Sequence, residues 1–167
     1  GGGRVVGALV SAAALPINNE HNASLVAIDK SGNLLYCIPG ESPLSTALSP
    51  PENNWGEITA MTINNGDLYV LDPANDGVQR YDGVNYGFGD LPRLFFGNQV
   101  PDLSKTIDMA NYADDLYLLN NDGTITLCTY SDFASSTTRC QEPAPYGDSR
   151  TGQQLGQCHP DHDARRQ

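Results

Sequence analysis

The chain has 167 residues, of which 39% are hydrophobic, 17 are Gly and 11 are Pro. That length allows one domain with a real core, and the turn formers suffice to punctuate many short strands. Nine basic against twenty acidic residues leave a formal net charge of −11 at pH 7. Such a field repels phosphate backbones and anionic headgroups, so nucleic acid and acidic lipid are poor partners, whereas a protein, peptide or glycan is compatible with it.

The sequence opens GGG at 1–3, which reads as an internal point of a longer protein. Its longest apolar stretch, VVGALVSAAALP at 5–16, falls short of the ~20 residues a membrane-spanning helix needs and lacks a signal-peptide cleavage pattern. No membrane span is expected in this chain. The run SLVAID at 24–29 is closed by the turn signal KSGN at 30–33 and followed by LLYC at 34–37. Residues 39–54, with Pro43, Pro50 and Pro51, read as loop with room for an outer strand. The same order returns as DLYVLD at 67–72, the turn PANDG at 73–77 and VQRY at 78–81. LFF at 94–96, closed by Gly97, reads as a short buried strand. A third copy runs DLYLLN at 115–120, NDG at 121–123 and TITLC at 124–128. The Ser/Thr-rich stretch 129–139 reads as a long loop, and residues 141–167 as a polar, Pro/Gly-rich, loosely ordered tail.

These copies are an internal repeat. Leu68 and Leu116 stand 48 positions apart, as do Met61 and Met109 in the preceding strands, and Leu25 precedes Leu68 by 43. Each unit is a hairpin, because an Asp-Gly or Ser-Gly pair between two β-rich runs supplies the positive φ angles of a tight turn. LYVL at 68–71 and LYLL at 116–119 are continuously apolar, which predicts burial on both faces, whereas the return strands alternate and predict a half-exposed position. A lone hairpin cannot bury both faces, but stacked neighbours can. The expected fold is therefore all-β: a partial β-propeller over residues 1–140, with repeats near 5–50, 55–97 and 103–140.

The stretch LYVLDPANDGVQRYD at 68–82 resembles the NHL type of β-propeller repeat, a degenerate pattern close to WD-like repeats. Asp72, Asn75, Val78 and Tyr81 fit it; the third copy keeps Asn120 and Asp122, and the first keeps Asp29. The chain is also similar to propeller regions of bacterial proteins of unassigned function, some attached to signalling kinases or phosphatases. The resemblance implies a non-catalytic binding, scaffold or sensor region. Propellers close with four to eight blades. Three repeats therefore lead to the expectation that the protein continues beyond both ends, assembly with another chain being the other way to cover the open edges.

Asp29, Asp72 and Asn120 sit at equivalent positions closing the apolar strand. A ring of such oxygens can bind calcium or a polar ligand, but a residue repeated in every unit fits better as a cap on the turn, accepting backbone N–H bonds. NDG at 75–77 and at 121–123 lacks the ligand spacing of a calcium loop. Trp55, at the start of the second repeat, is a candidate recognition anchor. Of the cysteines 37, 128, 140 and 158, Cys128 and Cys140 flank the 129–139 stretch, and a disulfide closing it would contribute roughly 3 kcal/mol; free thiols are the other reading. The scarcity of lysine and the sequon Asn22-Ala-Ser24 favour an extracytoplasmic setting. Cys158, His159 and His162 concentrate metal-capable groups, but around Pro160 no scaffold preorganises them. No nucleophile elbow, phosphate-binding loop or zinc-protease motif is present, and His21 is the one candidate base outside the tail. A propeller hydrolase or lyase with a central divalent metal is the alternative function.

Overall fold

The computed structural model describes residues 6–97, 100–132 and 137–145. The Gly-Gly-Gly start and the cluster Cys158, His159 and His162 lie outside the described residues. The chain forms three antiparallel sheets, each a meander of strands taken in sequence order. Sheet 1 runs β1 (Leu9–Ala14), β2 (Leu25–Asp29), β3 (Asn33–Cys37) and β4 (Leu44–Ala47). Sheet 2 runs β5 (Ala60–Asn64), β6 (Asp67–Asp72), β7 (Gly77–Tyr81) and β8 (Arg93–Leu94), with one 3₁₀ turn (Pro73–Asn75) between β6 and β7. Sheet 3 runs β9 (Thr106–Tyr112), β10 (Asp115–Asn120), β11 (Thr124–Asp132) and β12 (Thr137–Cys140), with β13 (Ala144–Pro145) also on β11. No helix among the described residues is long and apolar enough to cross a membrane.

The hairpins follow from their turn residues. Gly32 and Gly123 stand at matching places in the first and third units with φ of 84° and 82°, a conformation a Cβ disfavours. The second unit uses a longer connection, in which Asp76 takes the left-handed position at φ 47°, as Asp and Asn tolerate. The register then matches across the repeats: Ile28 opposes Leu34, Leu71 opposes Val78 and Leu119 opposes Ile125.

Two cores separate the sheets. Val26, Ile28, Leu34 and Tyr36 of sheet 1 pack with Met61, Leu68, Val70 and Tyr81 of sheet 2. The opposite face of sheet 2, with Ala60, Tyr69, Leu71 and Val78, packs with Met109, Leu116, Leu118 and Cys128 of sheet 3, and Phe95, Phe96 and Leu103 fill the same core. Each fully buried aliphatic side chain here contributes roughly 1.5–3 kcal/mol. The first strands lie side by side, β1 on β5 and β5 on β9. Sheet 2 is thus covered on both faces, and every residue from Leu68 to Asp72 is buried.

Several local expectations need correction. LYLL at 116–119 is not buried on both faces: Leu116 and Leu118 are buried, but Leu119 is 39% exposed because sheet 3 has a neighbouring sheet on one side only among the described residues. The strand at 94–96 lies one residue earlier. Arg93 and Leu94 pair with β7 and are exposed, while Phe95, whose N–H still donates to Val78 O (2.8 Å), and Phe96 are buried in the second core. The two flanks of the 129–139 stretch are paired strand, with Thr129 opposite Arg139 and Tyr130 opposite Thr138. Backbone pairing needs no apolar side chain, so a Ser/Thr-rich stretch can carry it. Pairing also reaches past residue 140, where Ala144 and Pro145 oppose Ile125 and Thr124.

Candidate functional site

Asp29, Asp72 and Asn120 end β2, β6 and β10 and are each at most 5% exposed. A carboxylate buried so deeply must be met by donors. Asp29 Oδ1 accepts the N–H groups of Ser31 (2.8 Å) and Asn33 (2.9 Å) across the β2–β3 turn. Its Oδ2 accepts the N–H of Gly7 (2.8 Å) and the Asn33 side-chain amide (2.7 Å). Asp72 does the same for sheet 2: Gly56 and Glu57 donate N–H to its two oxygens at 2.8 and 3.0 Å, and Asn75 Nδ2 donates at 2.9 Å. Each residue clasps the segment entering its sheet to the turn that leaves the second strand.

Sheet 3 makes the same clasp with different chemistry. Asn120 Oδ1 accepts the Thr106 hydroxyl (3.1 Å), and its Nδ2 donates to the hydroxyls of Thr124 (3.0 Å) and Thr126 (3.2 Å). An amide both donates and accepts, so it suits hydroxyl partners where a carboxylate suits N–H donors. The three residues therefore serve three separate clasps, with their polar atoms turned to their own sheets. Among the described residues no group of three His, Cys, Asp or Glu side chains is placed to hold a metal ion.

Burial pushes the Asp29 carboxyl upward, but the Asn33 side-chain amide and the N–H groups of Gly7, Asn33 and Ser31 outweigh it and hold the group below its ordinary value. A carboxylate with a lowered folded pKa contributes stability above its unfolded pKa, and that contribution disappears as pH falls through the folded value. The urea midpoint of the wild type is thus expected to drop more between pH 5 and pH 3 than that of Asp29→Asn, which has no charge to lose; parallel curves would contradict the clasp.

Trp55 is half-buried against the first core, its ring 6.4 Å from Tyr81. Its indole lies over Gly32, where an added Cβ would sit 2.5 Å from Nε1. It therefore links the first hairpin turn to sheet 2. Cys128 and Cys140 form a disulfide between directly opposed residues of β11 and β12, with Cα atoms 4.0 Å apart. Cys37, at the position of Cys128 in sheet 1, is a free thiol. Asn22 of the sequon is exposed in a turn.

A cleft of about 580 Å³ lies between the ends of sheets 1 and 2, lined by Ala14, Pro16, Thr62, Asn65, Asn85 and Tyr86 among others. One rim is the β5–β6 turn, where Asn65 and Gly66 take φ of 52° and 86°, the signature of a type I′ hairpin turn. The other is the segment 83–87, in which Asn85 and Tyr86 are successively left-handed at φ 49° and 66°. Two bonds from sheet 1 hold that conformation. Glu20 N–H donates to Asn85 O (2.8 Å), and Tyr36 Oη–H donates to Tyr86 O (3.0 Å). Burial, reinforced by the negative charge of Glu20, raises the Tyr36 pKa and keeps its hydroxyl a donor. A left-handed Tyr costs ~1–2 kcal/mol, so the surrounding contacts must fix it. The sequence offered only the Asn-Gly pair as a signal for this cleft; the strained 85–86 pair arises from long-range bonds that no local pattern records.

Protein-family models show no match to this chain, and no curated protein matches it.

Proposed function

We propose that the chain is a non-catalytic binding or scaffolding module of the β-propeller type, its three sheets acting as consecutive blades, and that it holds a protein, peptide or glycan at the cleft between the first two. The observation that carries this reading is the division of labour between repeated and unrepeated residues. Asp29, Asp72 and Asn120, which recur in every sheet, are engaged in clasps. The unrepeated Asn65, Asn85 and Tyr86 line an open cleft. Side-chain amides and an aromatic ring on a preformed rim are the groups that orient polar ligands. The stacking of β1 on β5 and β5 on β9, with four-stranded meanders facing one another, supports the blade assignment. The Cys128–Cys140 disulfide supports an extracytoplasmic setting, where such bonds persist.

The test is a screen of wild type and Asn65→Gly/Asn85→Gly on peptide and glycan arrays. Glycine retains the positive φ at both positions while deleting both amides. Binders found with the wild type are expected to weaken at least about tenfold, the loss of one to two neutral hydrogen bonds, with little change in melting temperature. Unchanged binding by the double variant, or divalent-metal-dependent turnover of an array ligand, would overturn the reading.

A further inference from the structure

The three sheets share the turn that leads into their second strand. Asn22, Asn65 and Ala113 stand three positions before the equivalent leucines Leu25, Leu68 and Leu116, and take left-handed φ of 53°, 52° and 50°. The conformation belongs to the repeat, and Ala113 shows that it needs no side-chain amide. Two residues later the sheets diverge. Asp67 accepts the Arg80 guanidinium (2.6 Å) and the Gly83 N–H (3.1 Å), and Asp115 accepts the Thr129 hydroxyl (2.6 Å). Sheet 1 has the exposed Ser24 there, its hydroxyl donating to Cys37 O at 3.4 Å, a length at which little is gained.

The approach to that turn differs as well. In sheets 2 and 3 the first two strands are joined tightly, with Asn64 opposite Asp67 and Tyr112 opposite Asp115. In sheet 1 Ala14 opposes Leu25, and residues 15–24 form a loop closed by the bond from Leu15 N–H to Ser24 O (3.0 Å). Asn19, only 6% exposed, holds this loop from inside. Its Oδ1 accepts the N–H groups of His21 (3.2 Å) and Ala23 (3.0 Å), and its Nδ2 donates to Pro16 O (2.9 Å) and Ala23 O (2.6 Å). Asn22, by contrast, is exposed, and its side-chain amide has no hydrogen-bond partner among the described residues.

We propose that Asn22 carries an Asn-linked oligosaccharide. Asn22-Ala23-Ser24 is the acceptor triplet of that modification, and neither matching triplet, Asn65-Gly66-Asp67 or Ala113-Asp114-Asp115, has the hydroxyl. The amide and the hydroxyl that the transfer requires are thus exposed side chains that the fold of the turn does not use, on either side of the buried Ala23. A lipid-diphosphate-linked oligosaccharide supplies the sugar. The bond from Asn22 Nδ2 to the anomeric carbon forms as the bond from that carbon to the diphosphate oxygen breaks. The lipid diphosphate leaves with the electron pair, and one Nδ2 proton is released. Such glycans mark surface loops of secreted proteins, and disulfides such as Cys128–Cys140 persist in the same oxidising compartments. The inference rests on the extracytoplasmic reading above.

Peptide mapping by mass spectrometry of the protein from its native source, before and after an amidase that releases Asn-linked glycans, tests this. The peptide bearing Asn22 is expected to be missing at its unmodified mass and to return after treatment with Asn22 converted to aspartate. In the chain secreted from eukaryotic cells, Asn22→Gly and Ser24→Ala should each lose the carbohydrate, whereas Ser24→Thr should keep it. Glycine holds the left-handed φ at position 22, so Asn22→Gly should melt with the enzymatically deglycosylated wild type. Bare Asn22 in the native protein, or carbohydrate that survives Ser24→Ala, would overturn the proposal. The same map reads the cysteines. Bare Asn22 beside a bridged Cys128–Cys140 refutes the glycan alone, whereas bare Asn22 with both thiols reduced refutes the extracytoplasmic reading with it.

Discussion

Leu71→Ala should cost about 3 kcal/mol of folding stability, and Leu119→Ala less than about 1 kcal/mol. The two leucines occupy one position of the repeat, opposite Val78 and Ile125, and suffer the same truncation. They differ in what covers them. Leu71 is fully buried beneath sheet 3, while Leu119 is 39% exposed. Removing three carbons from a closed core forfeits their transfer energy and leaves a cavity, whereas a half-open site loses only part of the former and none of the latter. Urea midpoints with an unchanged slope measure the difference. Equal losses at the two sites would mean that sheet 3 is covered in solution as sheet 2 is.

The second large effect is expected at the disulfide. Cys128→Ala with Cys140→Ala should destabilise by about 3 kcal/mol, the loop-closure entropy of a short cross-link, equivalent to roughly 10 °C in melting temperature for a chain of this size. The bond joins opposed residues 12 apart in sequence and staples β12, an edge strand, to β11. Cys37→Ala, at the same repeat position in sheet 1 without a cross-link, should shift the melting temperature by much less. Wild type melted with and without reductant provides the check. Coincident curves, or four alkylatable thiols in unreduced protein, would contradict the stapled hairpin.

The sequence disclosed the repeat because the hairpin is local. The apolar run, the turn with Gly32 or Gly123 and the return strand are contiguous, and their offsets brought Leu25, Leu68 and Leu116 to equivalent places. The role of Asp29 was legible for the same reason, since two of its donors lie within four residues. Its bond to Gly7, and those of Asp72 to Gly56 and Glu57, span 15 to 22 positions and leave no local trace. The exposure of Leu119 escaped because an apolar run reports what a strand can bury, while burial depends on whether a neighbour is present. β4 was legible only as room for an outer strand, being a short edge strand without alternation, and β8 was read as a buried strand where it is an exposed edge. The cleft was least legible of all: Ala14, Asn65 and Asn85 meet only once two sheets have stacked.

The central claim is that successive sheets stack through equivalent faces. Methyl-labelled NMR tests it most directly. Cross-relaxation is expected between Ile28 or Leu34 and Leu68 or Val70 across the first core, and between Leu71 or Val78 and Leu116 or Leu118 across the second. Contacts confined to strands of one sheet, with none crossing between sheets, would contradict the stacked arrangement.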